Sequence, residues 1–240
     1  MNYNELNFDA MTRERELSMS AAFPVLMRKV YVWMTLALVI TGITAYGVAS
    51  SPGVISALYS NQAIMWGLII AEFALVIGIS AAINRLSLPT ATMLVVLYSA
   101  INGVMLSSVF LIYTASSIAS VFFITAGTFA VMALIGYTTK TDLTSMGKII
   151  MMALIGLIIA SLVNVFLVKS SGFDLILSYV GVLIFVGLTA YDSQKIKQML
   201  LEAPDAGEGA QKLALLGALS LYLDFINLFI YLLRIFGKRE

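Results

Sequence analysis

The sequence predicts an all-α integral membrane protein with seven transmembrane helices. Three observations carry this prediction. Of 240 residues, 60% are apolar and only 11% are charged, the mean hydropathy is +0.97, and the charges cluster in short stretches between long apolar runs. Soluble domains carry about 25% charged residues, so the solvent facing most of these side chains is lipid. The runs are continuously apolar and do not alternate at period two, which selects helices over barrel strands.

The opening stretch, residues 1–29, is polar and mixed in charge. It lacks the basic start, short apolar core and small-residue cleavage site of a signal peptide. It is read as a cytoplasmic segment preceding a membrane domain over 30–240. Spans of about 20 residues suffice to cross a hydrocarbon core, and the sequence places them near 30–49, 63–83, 90–113, 118–137, 149–168, 175–194 and 213–236. Ser50-Ser51-Pro52-Gly53 ends the first span, Leu88-Pro89 opens the third, and Ala203-Pro204-Asp205-Ala206-Gly207 separates the last two. A very short connection at 115–117 predicts a tight antiparallel hairpin of spans three and four. Gly42, Gly78, Gly103 and Gly156 are expected to allow close helix approach, and Asn102 and Asn164 to hydrogen-bond between helices.

Basic residues set the orientation. With the N-terminus inside, the inner side holds Arg13, Arg15, Arg28, Lys29, Arg85, Lys140, Lys148, Lys195, Lys197 and Lys212, against Lys169 alone in the outer loops. The tail residues Arg234, Lys238 and Arg239 break this pattern. Either the rule is overruled locally or the last segment dips in and returns. The net charge of +1 suggests no nucleic-acid partner, and the absence of cysteine and histidine excludes disulfide, thiolate and histidine-metal chemistry.

Three carboxylates fall inside apolar runs: Glu72, Asp192 and Asp224. An ionised group at bilayer depth costs about 2.5–3.5 kcal/mol on insertion scales, so each needs a partner, a proton or water. The plainer reading is a protonated or paired group that serves helix packing. In the last span Ser220, Asp224, Asn227 and Tyr231 share one helical face. Such a polar stripe must turn inward, which makes this last helix central in the bundle. Thr189 and Asp192 share a face of span six, so the two aspartates can meet if their helices extend or tilt. At about 4 Å and an effective dielectric of about 20, two ionised carboxylates repel by on the order of 4 kcal/mol. They would then titrate as a unit around a shared proton. Arg85 is a candidate partner at the inner end of span two, with membrane-surface anchoring as its plainer role.

Thr189-Ala190-Tyr191-Asp192-Ser193-Gln194-Lys195-Ile196, and the run Ala218-Leu219-Ser220-Leu221-Tyr222-Leu223-Asp224-Phe225-Ile226-Asn227-Leu228-Phe229, resemble the two signature stretches of the Bax inhibitor-1 family. The likeness extends from about Arg28 to the end, with an Arg-Lys-Val-Tyr entry to the first span and the acidic Glu72; the connection 198–212 is longer than the family's. For a bacterial member the resemblance implies a calcium leak channel of the inner membrane, gated through a paired-aspartate pH sensor. Carried over, the sensor is Asp192 with Asp224, latched by Arg85. Those two aspartates are then candidate weak calcium ligands, while Glu72 and Asn227 are candidates to line a pathway. Calcium enters as the permeant ion, with no cofactor and no catalytic residue. The alternatives are a proton-coupled transporter and an intramembrane aspartyl protease. The second also uses a Tyr-Asp and a second aspartate, but Leu223-Asp224-Phe225 lacks its Gly-x-Gly-Asp setting. A serine rhomboid is excluded by the missing histidine, and a retinal protein by the lack of a mid-span lysine.

Overall fold

Residues 3–203 and 205–239 are described in a computed structural model of the chain, with side chains from residue 21 onward. The elements are α1 (Tyr3–Ala49), α2 (Pro52–Ser60), α3 (Gln62–Ala82), α4 (Leu88–Leu106), α5 (Val109–Ile112), α6 (Ala115–Thr138), α7 (Thr144–Val163), a π-helical turn (Asn164–Val168), α8 (Ser171–Leu201) and α9 (Glu208–Phe236). Seven stretches are long and apolar enough to cross a membrane, α4 with α5 and α7 with its π turn each counting as one.

All seven expected spans are present; their ends differ, and spans three and four do not pack as the expected tight hairpin, since α4 lies against α1, α3 and α9 while α6 lies against α8 and α9. Helix α1 runs unbroken through the boundary expected at residues 29–30, and Ala22, Leu26 and Met27 just ahead of it are buried. Side chains of the expected cytoplasmic segment ahead of residue 21 lie outside the described residues. The connection 50–61 holds the short helix α2. The turn expected at 115–117 falls instead at Tyr113-Thr114, because the Thr114 hydroxyl accepts from the Ser117 N–H at 3.4 Å and starts α6 at Ala115. Asn61, Ser87 and Ser170 cap α3, α4 and α8 in the same way, at 3.0, 3.3 and 3.3 Å. These caps satisfy N–H groups that a helix end leaves unpaired. Asn164 does not bridge helices: its amide donates to the Ser170 carbonyl at 3.2 Å and accepts from the Ser170 N–H at 3.1 Å. That bracket closes the tight turn in which Lys169 adopts φ 52°.

Helix α9 packs against α1, α4, α6 and α8, and its span is 67% buried where that of α3 is 6% buried. Bilayer hydrocarbon offers no hydrophobic drive between helices, so close backbone approach at small residues must hold them. A Cβ on Gly136 of α6 would lie 2.7 and 2.8 Å from the Ala190 C and Cα atoms of α8. One on Gly103 of α4 would lie 2.6 Å from the Thr41 carbonyl oxygen of α1. The expected roles of Gly42, Gly78 and Gly156 do not hold, since an added Cβ would meet nothing within 4 Å.

The tail resolves the charge conflict. The Thr114 N–H donates to the Lys238 carbonyl at 3.1 Å, and the Lys238 N–H to the Ser117 hydroxyl at 2.9 Å. Tyr113 and Arg239 form an antiparallel bridge, and Arg234 pairs with Asp174 at 3.3 Å. The last helix therefore crosses fully, and its basic end sits on the face of the 113–114 turn. On the opposite face, Lys29 donates to Gln211 at 2.7 Å, Lys212 to the Leu86 carbonyl at 3.1 Å, and the Leu88 N–H to Glu208 at 2.9 Å.

Gly136→Ala should lower stability by about 1–3 kcal/mol through overpacking against α8, and Gly42→Ala should leave it unchanged. Thermal unfolding of the two variants in detergent checks this, and equal midpoints would contradict the packing account.

Candidate functional site

Asp224 lies on the innermost helix and is only 4% exposed. Its Oδ2 has no hydrogen-bond partner among the described residues. Asp192 lies half-buried on α8, and its charge acts directly on Asp224. The two thus stand on packed neighbouring helices, near enough for their charges to interact. Their meeting needs helices longer than the apolar runs, and both extend: α8 continues to Leu201 and α9 begins at Glu208. A carboxyl oxygen left without a partner in such a place forfeits about 1–3 kcal/mol.

Ser193 was not singled out from the sequence. Its Oγ is the second buried side-chain atom without a partner among the described residues. The signal was present, since Ser193 follows Thr189 by four positions and lies beside Asp192, which puts all three on one side of α8. Thr189 itself is satisfied, donating to the Phe185 carbonyl at 2.7 Å. Gln194 points the other way and clamps the α6–α7 connection: it accepts from the Leu143 N–H and donates to the Thr141 carbonyl, both at 2.8 Å. Lys197 adds a hydrogen bond to the Tyr137 carbonyl at 2.8 Å and lies 4.9 Å from that residue's ring centre. The segment around Asp192 thus carries both an unpartnered polar atom and a grip on the loop that follows α6.

The remaining candidates are dispersed. Arg85 is exposed in the 83–87 turn and forms no ion pair with Asp192 or Asp224 among the described residues. The cation whose field reaches Asp192 is Lys195, one turn along α8. Asn227 is half-buried and donates to the Leu223 carbonyl of its own helix at 2.8 Å. Glu72, on α3, accepts from the Asn102 amide of α4 at 3.1 Å and stands apart from the aspartates. A 100 Å³ cavity beside α9 is bordered by Thr41, Leu38, Phe122, Phe225 and Phe229. The Phe122 ring lies 5.4 Å from that of Phe225 and 6.3 Å from that of Phe229, so aromatic rings line one side of this space.

A family profile described as inhibitor of apoptosis-promoting Bax1 matches residues 24–240. The chain is 51% identical over 222 residues to the inner membrane protein YbhL of Escherichia coli, covering 92% of this chain and 94% of that one. It is 48% identical over 214 residues to a protein of Borreliella burgdorferi, covering 89% and 92%. A membrane protein of Streptococcus pyogenes is 40% identical over 186 residues, covering 78% and 80%.

Gln194→Ala removes both hydrogen bonds to the 141–143 segment, each worth about 0.5–1.5 kcal/mol net. Amide hydrogen exchange should quicken at Leu143 and its neighbours while the Asn164-Ser170 turn keeps its protection. Unchanged exchange at 141–143 would show that the loop does not depend on α8.

Proposed function

This chain belongs to the Bax inhibitor-1 family of membrane proteins, and on that premise we propose that it is a pH-sensitive calcium leak gated by the Asp192–Asp224 pair. The observation that carries this reading is the buried Asp224 oxygen with no partner among the described residues, on a helix packed against the one that bears Asp192. Two carboxyls confined together in a medium without water cannot both stay ionised at low cost, and one shared proton relieves the repulsion and supplies the missing hydrogen bond. Loss of that proton forces the groups to separate or to recruit a cation. Separation moves α8 against α9, and Gln194 with Lys197 would carry the movement to the loop at the inner end of α6.

Calcium suits this chemistry as the permeant ion. It takes six to eight hard oxygen ligands, and affinity falls as the number of charged ligands falls. Among the described residues no group of three or more acids converges, so a two-carboxylate station would bind weakly, and a leak needs weak binding so that ions depart as readily as they arrive. The cavity beside α9 is lined by apolar rings, and an apolar constriction there would exclude a hydrated ion. A latch between Arg85 and Asp192 would require the 83–87 turn to take a different conformation. The basic residues gathered on the face of the 83–87, 139–143 and 202–207 connections argue that this face, with the N-terminus, is cytoplasmic.

Purified protein in liposomes loaded with a calcium-sensitive dye tests the proposal. Calcium flux should vary with pH, and Asp192→Asn and Asp224→Asn should each abolish most of that variation. A pH profile unchanged in both variants would overturn the sensor assignment. Protons moving in fixed ratio with calcium would identify a proton-coupled transporter instead.

A further inference from the structure

On the side of α9 turned away from Asp224, a second polar system joins four helices. Tyr222 precedes Asp224 by two positions, a rotation of about 200° around the helix, and its side chain is fully buried. Its hydroxyl lies 3.1 Å from the Asn102 Oδ1 on α4 and 2.7 Å from the Thr41 Oγ1 on α1. Thr41 Oγ1 in turn lies 2.9 Å from the Ser99 carbonyl oxygen on α4. The other end of the Asn102 amide meets Glu72 Oε1 on α3 at 3.1 Å. The chain therefore runs Glu72, Asn102, Tyr222, Thr41, Ser99 carbonyl, without a break longer than a hydrogen bond.

Counting protons along this chain decides which states are self-consistent. With the Asn102 NH₂ turned to an ionised Glu72, the Asn102 carbonyl must receive the single Tyr222 proton. The Tyr222 oxygen then needs a proton from Thr41, and so does the Ser99 carbonyl. Thr41 has one proton, and one of these short contacts is left with facing lone pairs. Turning the amide over exchanges O and N in the same volume and removes the conflict. A protonated Glu72 donates to the Asn102 oxygen, the Asn102 NH₂ to Tyr222, Tyr222 to Thr41, and Thr41 to the Ser99 carbonyl. Every contact then holds its own proton, and that state is reached only by adding one proton at Glu72.

We propose that Glu72 is a second proton-binding site of this protein, separate from the aspartate pair, whose occupancy is read by the orientation of the Asn102 amide and passed through Tyr222 and Thr41 to the α1–α9 contact. The titratable groups that face it are Tyr98 of α4 and Tyr222 of α9, both within reach of its charge; the Tyr98 ring stands edge-on to that of Tyr222 at 5.9 Å. No other Asp or Glu and no Lys or Arg occurs on α2, α3, α4 or residues 30–49 of α1, and Asp224 lies across α9. No counter-charge is therefore placed to hold Glu72 ionised. With the proton bound, the α1, α4 and α9 hydroxyls and carbonyl are fully bonded; without it, one link between α1 and its neighbours is lost.

Infrared spectroscopy of the reconstituted full chain, titrated over pH, tests this. A protonated-carboxyl C=O band should be present at neutral pH and vanish in Glu72→Gln. Tyr222→Phe and Thr41→Val each remove the step that rewards the protonated state, and should move the titration of that band down by about one pH unit, the equivalent of one hydrogen bond. If Glu72→Gln removes no band at neutral pH, Glu72 is ionised and the proposal fails. If the band titrates identically in wild type and in both hydroxyl variants, apolar burial alone holds the proton, and the relay through Asn102 is overturned.

Discussion

A bilayer interior holds no water to satisfy a polar side chain, so a helix carrying several of them must find its solvent in protein. Helix α9 carries Ser220, Tyr222, Asp224, Asn227 and Tyr231, and this one requirement organises the rest of the molecule. Four helices close around it, and they pay little attention to their own outer faces, which are covered in Ile, Leu, Phe and Met open to lipid. Helices α3 and α7 need no such shelter and stand at the periphery, 6% and 11% buried. Inside and outside are thus exchanged relative to a soluble domain, and polarity marks the centre.

The two sides of α9 are solvated differently. Toward α8, Asp224 has an incomplete set of partners and lies near the charge of Asp192. Toward α1 and α4, Tyr222 has two close partners whose proton count depends on a third residue further out. Both ends of α9 are held: the N-terminal end by bonds of Gln211, Lys212 and Glu208 to neighbouring elements, the C-terminal end by the pairing of the tail with the 113–117 segment. Both systems lie near the middle of this helix, between its two held ends.

Much of this was legible in the amino-acid order. Hydropathy is a one-dimensional property and located seven crossings, and the four-residue spacing of Ser220, Asp224 and the residues beyond them marked α9 as the helix that must be enclosed. The ends were less legible, because α8 and α9 outrun their apolar cores on capping and interhelical bonds, not on hydropathy. Small residues misled for a related reason: Gly42 and Gly136 look alike in sequence, yet only the second meets a neighbouring backbone, which depends on how each helix is rotated. Gln194 was passed over inside a recognised motif because its partners, Thr141 and Leu143, lie about fifty positions away. Asn102 bridges helices as its place inside an apolar run predicts, but nothing in its neighbourhood along the chain reveals that it joins Glu72 to Tyr222.

The account stands on the carboxyls of Asp192 and Asp224 facing each other inside the bundle. The chain has no cysteine, so cysteines placed at both positions report on this directly in native membranes. Treatment with a short bifunctional thiol reagent should join Asp192→Cys to Asp224→Cys and leave Asp192→Cys with Asn102→Cys unjoined, since Asn102 lies beyond α9. If the first pair resists cross-linking while each single cysteine reacts, the two residues do not meet, and no shared proton can link α8 to α9.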